Sequence, residues 1–135
     1  MPESRSSRRF LNPPSIPRPY GYSQVVEVNG GRTVYISGQV PLDTENQLVG
    51  DGNFTAQVRQ VFENVQLALA AVDLKFDHVV KMQFFLTDIA NLPKVREVRD
   101  SFVNTSQPPA STSVQVVALF RPDVLFEMDV VAVGD

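Results

Sequence analysis

The chain has 135 residues, of which 43% are hydrophobic, and a formal net charge of −3. This length and composition predict one domain with its own core, and the absence of cysteine excludes disulfides, thiolate metal sites and a cysteine nucleophile. No apolar run is long enough to cross a bilayer and the first residues lack a signal-peptide pattern, so we expect a soluble, cytoplasmic protein with no membrane partner.

Basic residues are concentrated near the N-terminus. Four of the 12 lie within the first 18 positions, and residues 19–135 hold 8 basic and 14 acidic groups. This acidic balance predicts that the folded body binds no nucleic acid. We expect a flexible basic tail at residues 1–11 and one domain at residues 12–135; a tail that binds an anionic partner is the less favoured alternative.

The first predicted elements are two strands, at residues 25–28 and 33–38, followed by a helix at residues 54–72. Asn29-Gly30-Gly31-Arg32 separates the strands, and Asn-Gly between β-rich runs is typical of a hairpin. Asn53 or Asp51 is placed to cap the helix. The apolar residues of the helix recur at a spacing that predicts one buried stripe: Val58, Val61, Phe62, Val65, Leu69 and Val72. The polar positions between them, Gln57 included, predict an exposed face.

Three more strands and a second helix complete the prediction. Residues 79–86 form a strand, and a helix at residues 93–102 begins at Pro93, where a missing N–H is tolerated. Strands follow at residues 110–119 and 125–133. In each strand, alternate residues share a face. The residues predicted to face the core in these last two strands are Thr112, Val114, Val116 and Ala118, and Phe126, Met128, Val130 and Ala132.

The predicted order is β-β-α-β-α-β-β, an α+β domain with both helices on one face of the sheet. The other face is then uncovered, and it carries apolar side chains beside the carboxylates of Glu127 and Asp129. Association of subunits would bury the apolar groups and enclose the polar ones in a cleft. We therefore expect an oligomer that binds a small molecule between its subunits.

Glu127 and Asp129 are the strongest candidate site from the residues alone. They lie about 7 Å apart along one strand, and acidic residues are depleted in strands. One of them could have a raised pKa in a partly buried cleft and act as a general acid or base. Alternatively, both pair with Lys81, Arg32 or Arg121 on a solvated surface. One histidine and no cysteine predict no metal site.

Six segments, in order along the chain, resemble the reactive-intermediate deaminase (Rid, or YjgF-like) family: residues 21–24, 34–43, 57–65, 79–88, 107–110 and 126–129. They include Gly-Tyr-Ser-Gln, Gln-Pro-Pro-Ala and Phe-Glu-Met-Asp. The resemblance covers nearly the whole chain and implies a chorismate-mutase-like subunit in a homotrimer with three ligand clefts between subunits. Deaminating members hydrolyse small 2-imino and enamino acids to 2-oxo acids and ammonia without a cofactor.

The resemblance also implies site residues. Glu127 falls on the glutamate that activates or orients the attacking water, Tyr22 on a pocket tyrosine, and Ser37 and Gly38 on a pocket-lining Ser-Gly pair. Ser111 stands where the family has the arginine that clamps the substrate carboxylate. Because serine has no fixed positive charge, we expect a divergent member that is not an efficient 2-iminopropanoate deaminase.

Three further positions depart from the family pattern. Gly21 replaces the usual proline, Ser113 stands where a cysteine is common, and Arg96 replaces a pocket asparagine found in some members. Arg96 either lends a cation to the cleft or is an ordinary surface arginine. The sequence thus predicts a Rid-type hydrolase or deaminase of a small imine or enamine. The alternative is a non-catalytic trimeric protein that binds a small molecule or a protein partner.

Overall fold

Six strands and two helices form in the computed structural model, which describes residues 5–135. In chain order they are β1 (Ser7–Leu11), β2 (Val25–Asn29), β3 (Arg32–Gln39), α1 (Phe54–Ala70), β4 (Val79–Leu86), α2 (Leu92–Arg99), β5 (Ala110–Gln115) and β6 (Phe126–Gly134). One sheet has the spatial order β3-β6-β4-β5, in which only the β4–β5 pair is parallel. Both helices cover one face of this mixed sheet, which confirms the predicted α+β architecture. None of the described helices is long and apolar enough to span a membrane.

The core lies between α1 and the sheet and is centred on Phe62. Its ring centroid lies 5.8 Å from that of Phe76, 6.1 Å from Phe84, 5.2 Å from Phe102 and 6.5 Å from Phe126. Five of the six residues in the predicted stripe are buried, whereas Val72 lies beyond α1 and is only partly buried. Each such aromatic side chain stabilises the fold by about 1.5–3 kcal/mol when it leaves water.

The N-terminal segment differs from its prediction. Residues 7–11, expected within a flexible tail, form β1, which pairs antiparallel with β2 and brings Arg9 within 2.9 Å of Glu27. Ser6 ties the start of this strand to the C-terminus, because its backbone N–H donates to Oδ1 of Asp135 at 2.9 Å. Residues 1–4, the rest of that predicted tail, lie outside the described part of the chain.

The predicted hairpin between β2 and β3 does not form within residues 5–135. The turn is present, with φ of 70° at Gly30 and 83° at Gly31, values that favour glycine. However, β2 pairs with β1, and β3 pairs with β6. The β3–β6 register runs from Arg32 opposite Gly134 to Ile36 opposite Val130. The turn was predicted correctly, but each of the two strands pairs with a different strand and not with the other.

Gln57 is buried, although the helical spacing predicted an exposed residue. Its Nε2 donates to the carbonyl oxygens of Gly50 at 3.1 Å and Asp123 at 2.9 Å, and its Oε1 accepts from the N–H of Leu125 at 2.9 Å. One amide therefore satisfies three backbone groups. It links α1 to the segment that enters β6, the strand that carries Glu127.

Candidate functional site

Strand β5 presents the face opposite to the predicted one. Ser111 and Ser113 pair in register with the buried Met82 and Phe84, and so lie on the helix-covered side of the sheet. The strand ends at Gln115, short of the predicted Leu119. The core-facing assignment was wrong for Thr112, Val114 and Ala118, which are exposed, and Val116 lies beyond the strand. Because β5 is an edge strand, its inner face is only partly covered, and hydroxyls are tolerated there.

A cavity of about 220 Å³ lies where the edge of the sheet meets α2. The residues that line it are Tyr22, Phe84, Leu92, Arg96, Arg99, Ser111 and Ser113. We call it the serine–arginine pocket. Four of the residues implicated by the family resemblance, Tyr22, Arg96, Ser111 and Ser113, meet here. A larger cavity of about 600 Å³ is lined by residues 12–14 and 16–19 and contains none of the predicted site residues.

Ser23 fixes Tyr22 beside the pocket. The N–H of Ser23 donates to the carbonyl oxygen of Pro109 at 3.0 Å, and its hydroxyl donates to that of Pro108. Ser23 and Ala110 also form a parallel β-bridge. The two prolines have no backbone N–H, so their backbones contribute only the two carbonyl acceptors to this contact. The loop that carries Tyr22 is thereby fastened to the start of β5.

Arg99 lines the same pocket and was missed by the sequence analysis. It is only 5% exposed, and its Nε donates to Oδ1 of Asp100 at 2.9 Å. The signal was available, since Arg99 lies four residues after Val95 and three before Phe102. It therefore falls on the stripe predicted to be buried, where an unpaired charge is costly.

Glu127 and Asp129 lie on the other face of the sheet, which we call the carboxylate face. Their register partners on β4 are Phe85 and Gln83, whose side chains alternate with the buried ones. Beside them, the pairing of β3 with β6 passes from Ile36–Val130 to Gln39–Met128. This bulge sets Ser37 and Gly38 against the single residue Asp129.

Gly38 leaves room for the Glu127 carboxylate in its observed position. A Cβ atom at Gly38 would overlap Oε2 of Glu127 and lie 2.8 Å from its Cδ. The glycine therefore permits a close approach of a side chain to the backbone. Ser37 is exposed and lies with Asp129 in a shallow groove of about 330 Å³.

Burial raises the pKa of Glu127 above its usual value, and the negative charge of Asp129 raises it further. Burial also raises the pKa of Asp129, an effect that the positive charge of Lys81 opposes. When its amide nitrogen is oriented toward Asp129, Gln83 donates to both carboxylate oxygens, at 3.1 and 3.3 Å. Neither carboxylate forms an ion pair within residues 5–135. The pairing with Lys81, Arg32 or Arg121 that the sequence left open is absent there.

The predicted site residues therefore form two groups on opposite faces of one sheet. Tyr22, Arg96, Ser111 and Ser113 lie in the serine–arginine pocket, whereas Ser37, Gly38 and Glu127 lie on the carboxylate face. In the described part of the chain, no three His, Cys, Asp or Glu side chains come together as candidate metal ligands.

The comparisons with known proteins agree with this fold. A family described as Endoribonuclease L-PSP matches residues 15–134. YyfB of Yersinia pestis, a protein of the Rid family, superposes with a TM-score of 0.82 at 29% identity and covers 93% of this chain and 98% of its own. The chain belongs to the Rid (YjgF-like) family. The resemblance seen in the six sequence segments is thus confirmed.

Other Rid relatives are similar over most of their length. Protein DfrA of Myxococcus xanthus is 39% identical over 131 residues, 96% of this chain and 98% of that protein. A 2-iminobutanoate/2-iminopropanoate deaminase of Dermatophagoides farinae is 32% identical over 108 residues, 79% of this chain and 83% of that protein. The E. coli protein TdcF, whose structure contains bound serine, has 30% identity and a TM-score of 0.68, covering 89% of this chain and 91% of its own.

Proposed function

We propose that this protein is a cofactor-independent hydrolase of the Rid type, which deaminates a small imine or enamine metabolite with Glu127 as its general acid and base. The observation that carries this proposal is the Glu127 carboxylate, held over Gly38 at a strand bulge with its pKa raised by burial and by Asp129. A raised pKa brings a carboxylate nearer the pH at which it can both accept and return a proton. The deaminase name of a relative supports the same chemistry.

The reaction needs one water and no redox step. Glu127 removes a proton from the water as its oxygen attacks the carbon of the protonated imine, C=NH₂⁺, which gives a neutral tetrahedral amino alcohol. The same carboxyl then returns the proton to nitrogen. As the C–N bond breaks and ammonia leaves, the hydroxyl proton passes to the Glu127 carboxylate and from there to solvent, and a C=O bond replaces the C=N bond. An enamine reaches the same intermediate after protonation at carbon. A positioned carboxyl that performs such transfers contributes about 10²- to 10⁴-fold to the rate.

A small substrate fits the serine–arginine pocket, whose volume is about 220 Å³. Tyr22, Ser111 and Ser113 supply hydroxyls that can donate or accept hydrogen bonds. The family's clamping arginine is a serine here, so we infer that the preferred substrate differs from 2-iminopropanoate or is held in another way.

We propose that the site is completed between subunits of a homotrimer. Glu127 and the serine–arginine pocket lie on opposite faces of the same sheet, so one chain does not bring both to one ligand. A second copy whose carboxylate face meets the pocket of the first would do so. This association would also cover Tyr35, which is 79% exposed on the carboxylate face.

The decisive experiment measures ammonia release from freshly generated 2-imino acids. We expect Glu127→Gln to lower kcat by about 10²-fold or more, because the amide cannot exchange a proton with water. Glu63→Gln, the same change at an exposed position of α1, is the matched control and should keep wild-type activity. Ammonia release that persists unchanged in Glu127→Gln would exclude this role.

A non-catalytic binding protein of the same fold is the second candidate. Ser111 favours it, because loss of the fixed charge at that position removes a bidentate contact to a carboxylate. This second candidate predicts ligand binding without release of ammonia from any imine or enamine tested. Turnover that Glu127→Gln abolishes would rule it out.

Nucleic acid is a poor fit as a partner, although the family description names an endoribonuclease. Glu127 and Asp129 present negative charge on the carboxylate face, and residues 19–135 are net acidic. Phosphate backbones bind to surfaces rich in lysine and arginine. We therefore propose a metabolite as the substrate.

A further inference from the structure

Arg99 combines deep burial with incomplete pairing. Asp100, its one ion-pair partner within residues 5–135, contacts Nε, and the Asp100 side chain is itself 51% exposed. Nη1 and Nη2 donate no hydrogen bond to any described residue. Among the described residues, every fully buried side-chain nitrogen or oxygen has a hydrogen-bond partner, so Nη1 and Nη2 are not fully buried. These two nitrogens therefore remain accessible, and the side chain to which they belong lines the serine–arginine pocket.

A buried guanidinium is costly unless its donors are satisfied. Nε alone is satisfied here, and it cannot bind a ligand while it donates to Asp100. The outer edge of the guanidinium is left with two nitrogens, and a planar pair of N–H donors matches the two oxygens of a carboxylate. An anion in the pocket would complete the hydrogen bonding that the protein leaves open.

Two departures from the family pattern make room for this arginine. Gly21, where the family usually has proline, has a φ of +74°, which proline cannot adopt. A Cβ atom at Gly21 would overlap Nη2 of Arg99 and lie 3.1 Å from its Cζ. Ser111, where the family has arginine, lines the same pocket and leaves its volume free. Gly21 and Ser111, two departures from the family pattern, thus both leave space around the guanidinium of Arg99.

We propose that Arg99 is the anion anchor of the serine–arginine pocket: from helix α2 it binds the carboxylate of a small ligand, in place of an arginine on strand β5. Arg96, one turn earlier on α2, adds a second positive charge to the pocket. The hydroxyls of Ser111, Ser113 and Tyr22 are placed to bond the rest of the ligand. The inference deepens the proposed function and uses the same cleft, but it does not depend on the catalytic role of Glu127.

Titration calorimetry on the full chain tests the anchor with pyruvate, a stable small 2-oxo acid, and with its neutral analogue pyruvamide. We expect wild type to bind pyruvate, and to bind pyruvamide at least about tenfold more weakly. Arg99→Met keeps the length of the side chain without its charge and should weaken pyruvate binding about tenfold or more; Arg99→Lys should fall between. Lys94→Gln removes a positive charge from an exposed position of the same helix and should bind as wild type does.

A folded Arg99→Met variant that binds pyruvate with the wild-type Kd would overturn the proposal. So would a wild type that binds inorganic phosphate and no carboxylate. Circular dichroism establishes that each variant is folded. If Arg99→Met does not fold, pyruvate binding by Arg99→Lys and by Gly21→Ala tests the proposal instead. The methyl group added in Gly21→Ala would displace the guanidinium of Arg99. Wild-type pyruvate affinity in both would contradict the anchor.

A rescue variant tests whether the two positions serve one ligand. Arg99→Met combined with Ser111→Arg returns a guanidinium to the pocket from β5, and we expect it to regain pyruvate binding. A folded double variant with no more affinity than Arg99→Met would show that Ser111 and Arg99 do not share a ligand, against the proposal.

Two results separate this inference from the proposed function. Pyruvate binding that depends on Arg99 and persists in Glu127→Gln, with no imine turnover by wild type, would support the anchor and exclude the hydrolase. Conversely, imine turnover whose KM is unchanged in Arg99→Met would keep the hydrolase and exclude the anchor.

Discussion

At the scale of single residues, the environment of Glu127 determines what it can do. Gly38 admits its carboxylate to a confined position, and Asp129 lies on the same face two residues along β6. Burial and a like charge both disfavour the ionised form, so the pKa of Glu127 is raised. From the sequence, the alternation of residues gave the shared face of the two carboxylates and left a raised pKa open as one alternative, but it did not show the close approach of Glu127 to Gly38.

The raised pKa predicts a pH dependence of stability. The ordinary value for glutamate is 4.5, and the folded state holds the proton of Glu127 more tightly than the unfolded chain does. The stabilisation is therefore complete below the unfolded-state pKa and is lost as pH rises through the folded-state pKa. Glu127→Gln cannot titrate, so we expect the free energy of unfolding of wild type to fall relative to that of the variant across this window.

Urea denaturation of wild type, Glu127→Gln and Glu63→Gln at a series of pH values measures this difference. Asp129, whose pKa is also raised by burial, contributes the same sign in all three proteins and largely cancels. Glu63→Gln should follow wild type. A difference between wild type and Glu127→Gln that stays constant with pH, or grows in favour of wild type, would contradict the raised pKa.

The family resemblance pointed to Tyr22, Ser111 and Ser113, and the structure brings these three residues to one pocket. Their role as ligand contacts stays a prediction. Arg99 belongs to no quoted motif, and only its position on an apolar stripe marked it. A one-dimensional pattern shows that a charge lies on the buried side of a helix, but not that it borders a cavity.

At the scale of elements, spacing predicted which segments are helix and which are strand, but not always the face or the partner. In β5 the serines and the threonine and valine alternate with little contrast in hydrophobicity. The parallel register with β4, set by the whole sheet, decides which set points inward. Likewise β1 became ordered because β2 offered it a free edge, a contact between segments that sequence periodicity does not encode.

Gln57 gives the element scale its own prediction. Replacing it with leucine keeps the buried volume but leaves the carbonyls of Gly50 and Asp123 and the N–H of Leu125 without their partner. Unsatisfied buried backbone groups cost about 1–3 kcal/mol each, and partial relaxation reduces the sum. We expect Gln57→Leu to lower the free energy of unfolding by about 2–4 kcal/mol.

Urea denaturation again provides the measurement, with Gln66→Leu as the control because Gln66 is exposed on the same helix. That variant should stay within about 0.5 kcal/mol of wild type. If Gln57→Leu is as stable as Gln66→Leu, the amide does not hold the segment that leads into β6.

At the scale of the whole molecule, the fold separates the two halves of the candidate site. The helices cover one face of the sheet, and the serine–arginine pocket opens at the edge of that layer, whereas Glu127 lies on the uncovered face. The resemblance to the Rid family implies a trimer, and the separation of the halves gives it a functional reason. In a ring of identical subunits, each cleft would take its carboxylate face from one copy and its pocket from the next.

This arrangement predicts complementation between inactive variants. Glu127→Gln disables the carboxylate face, and Ser111→Trp fills the pocket but leaves Glu127 of the same chain unchanged. Each variant alone should release no ammonia beyond background. When equal amounts are unfolded and refolded together, random assembly into rings gives both intact halves to about a quarter of the clefts, so about a quarter of wild-type activity should return.

Light scattering of each sample verifies that the refolded species has three times the 15.0 kDa mass of the chain. Mixing the two folded variants without unfolding should restore less activity, to the extent that subunits exchange slowly. Refolding Glu127→Gln with the double variant Glu127→Gln/Ser111→Trp should restore none, because no subunit then carries an intact carboxylate face. If co-refolded single variants remain inactive while wild type refolds to full activity, each chain must build its site alone, and the two faces of the sheet do not cooperate across an interface.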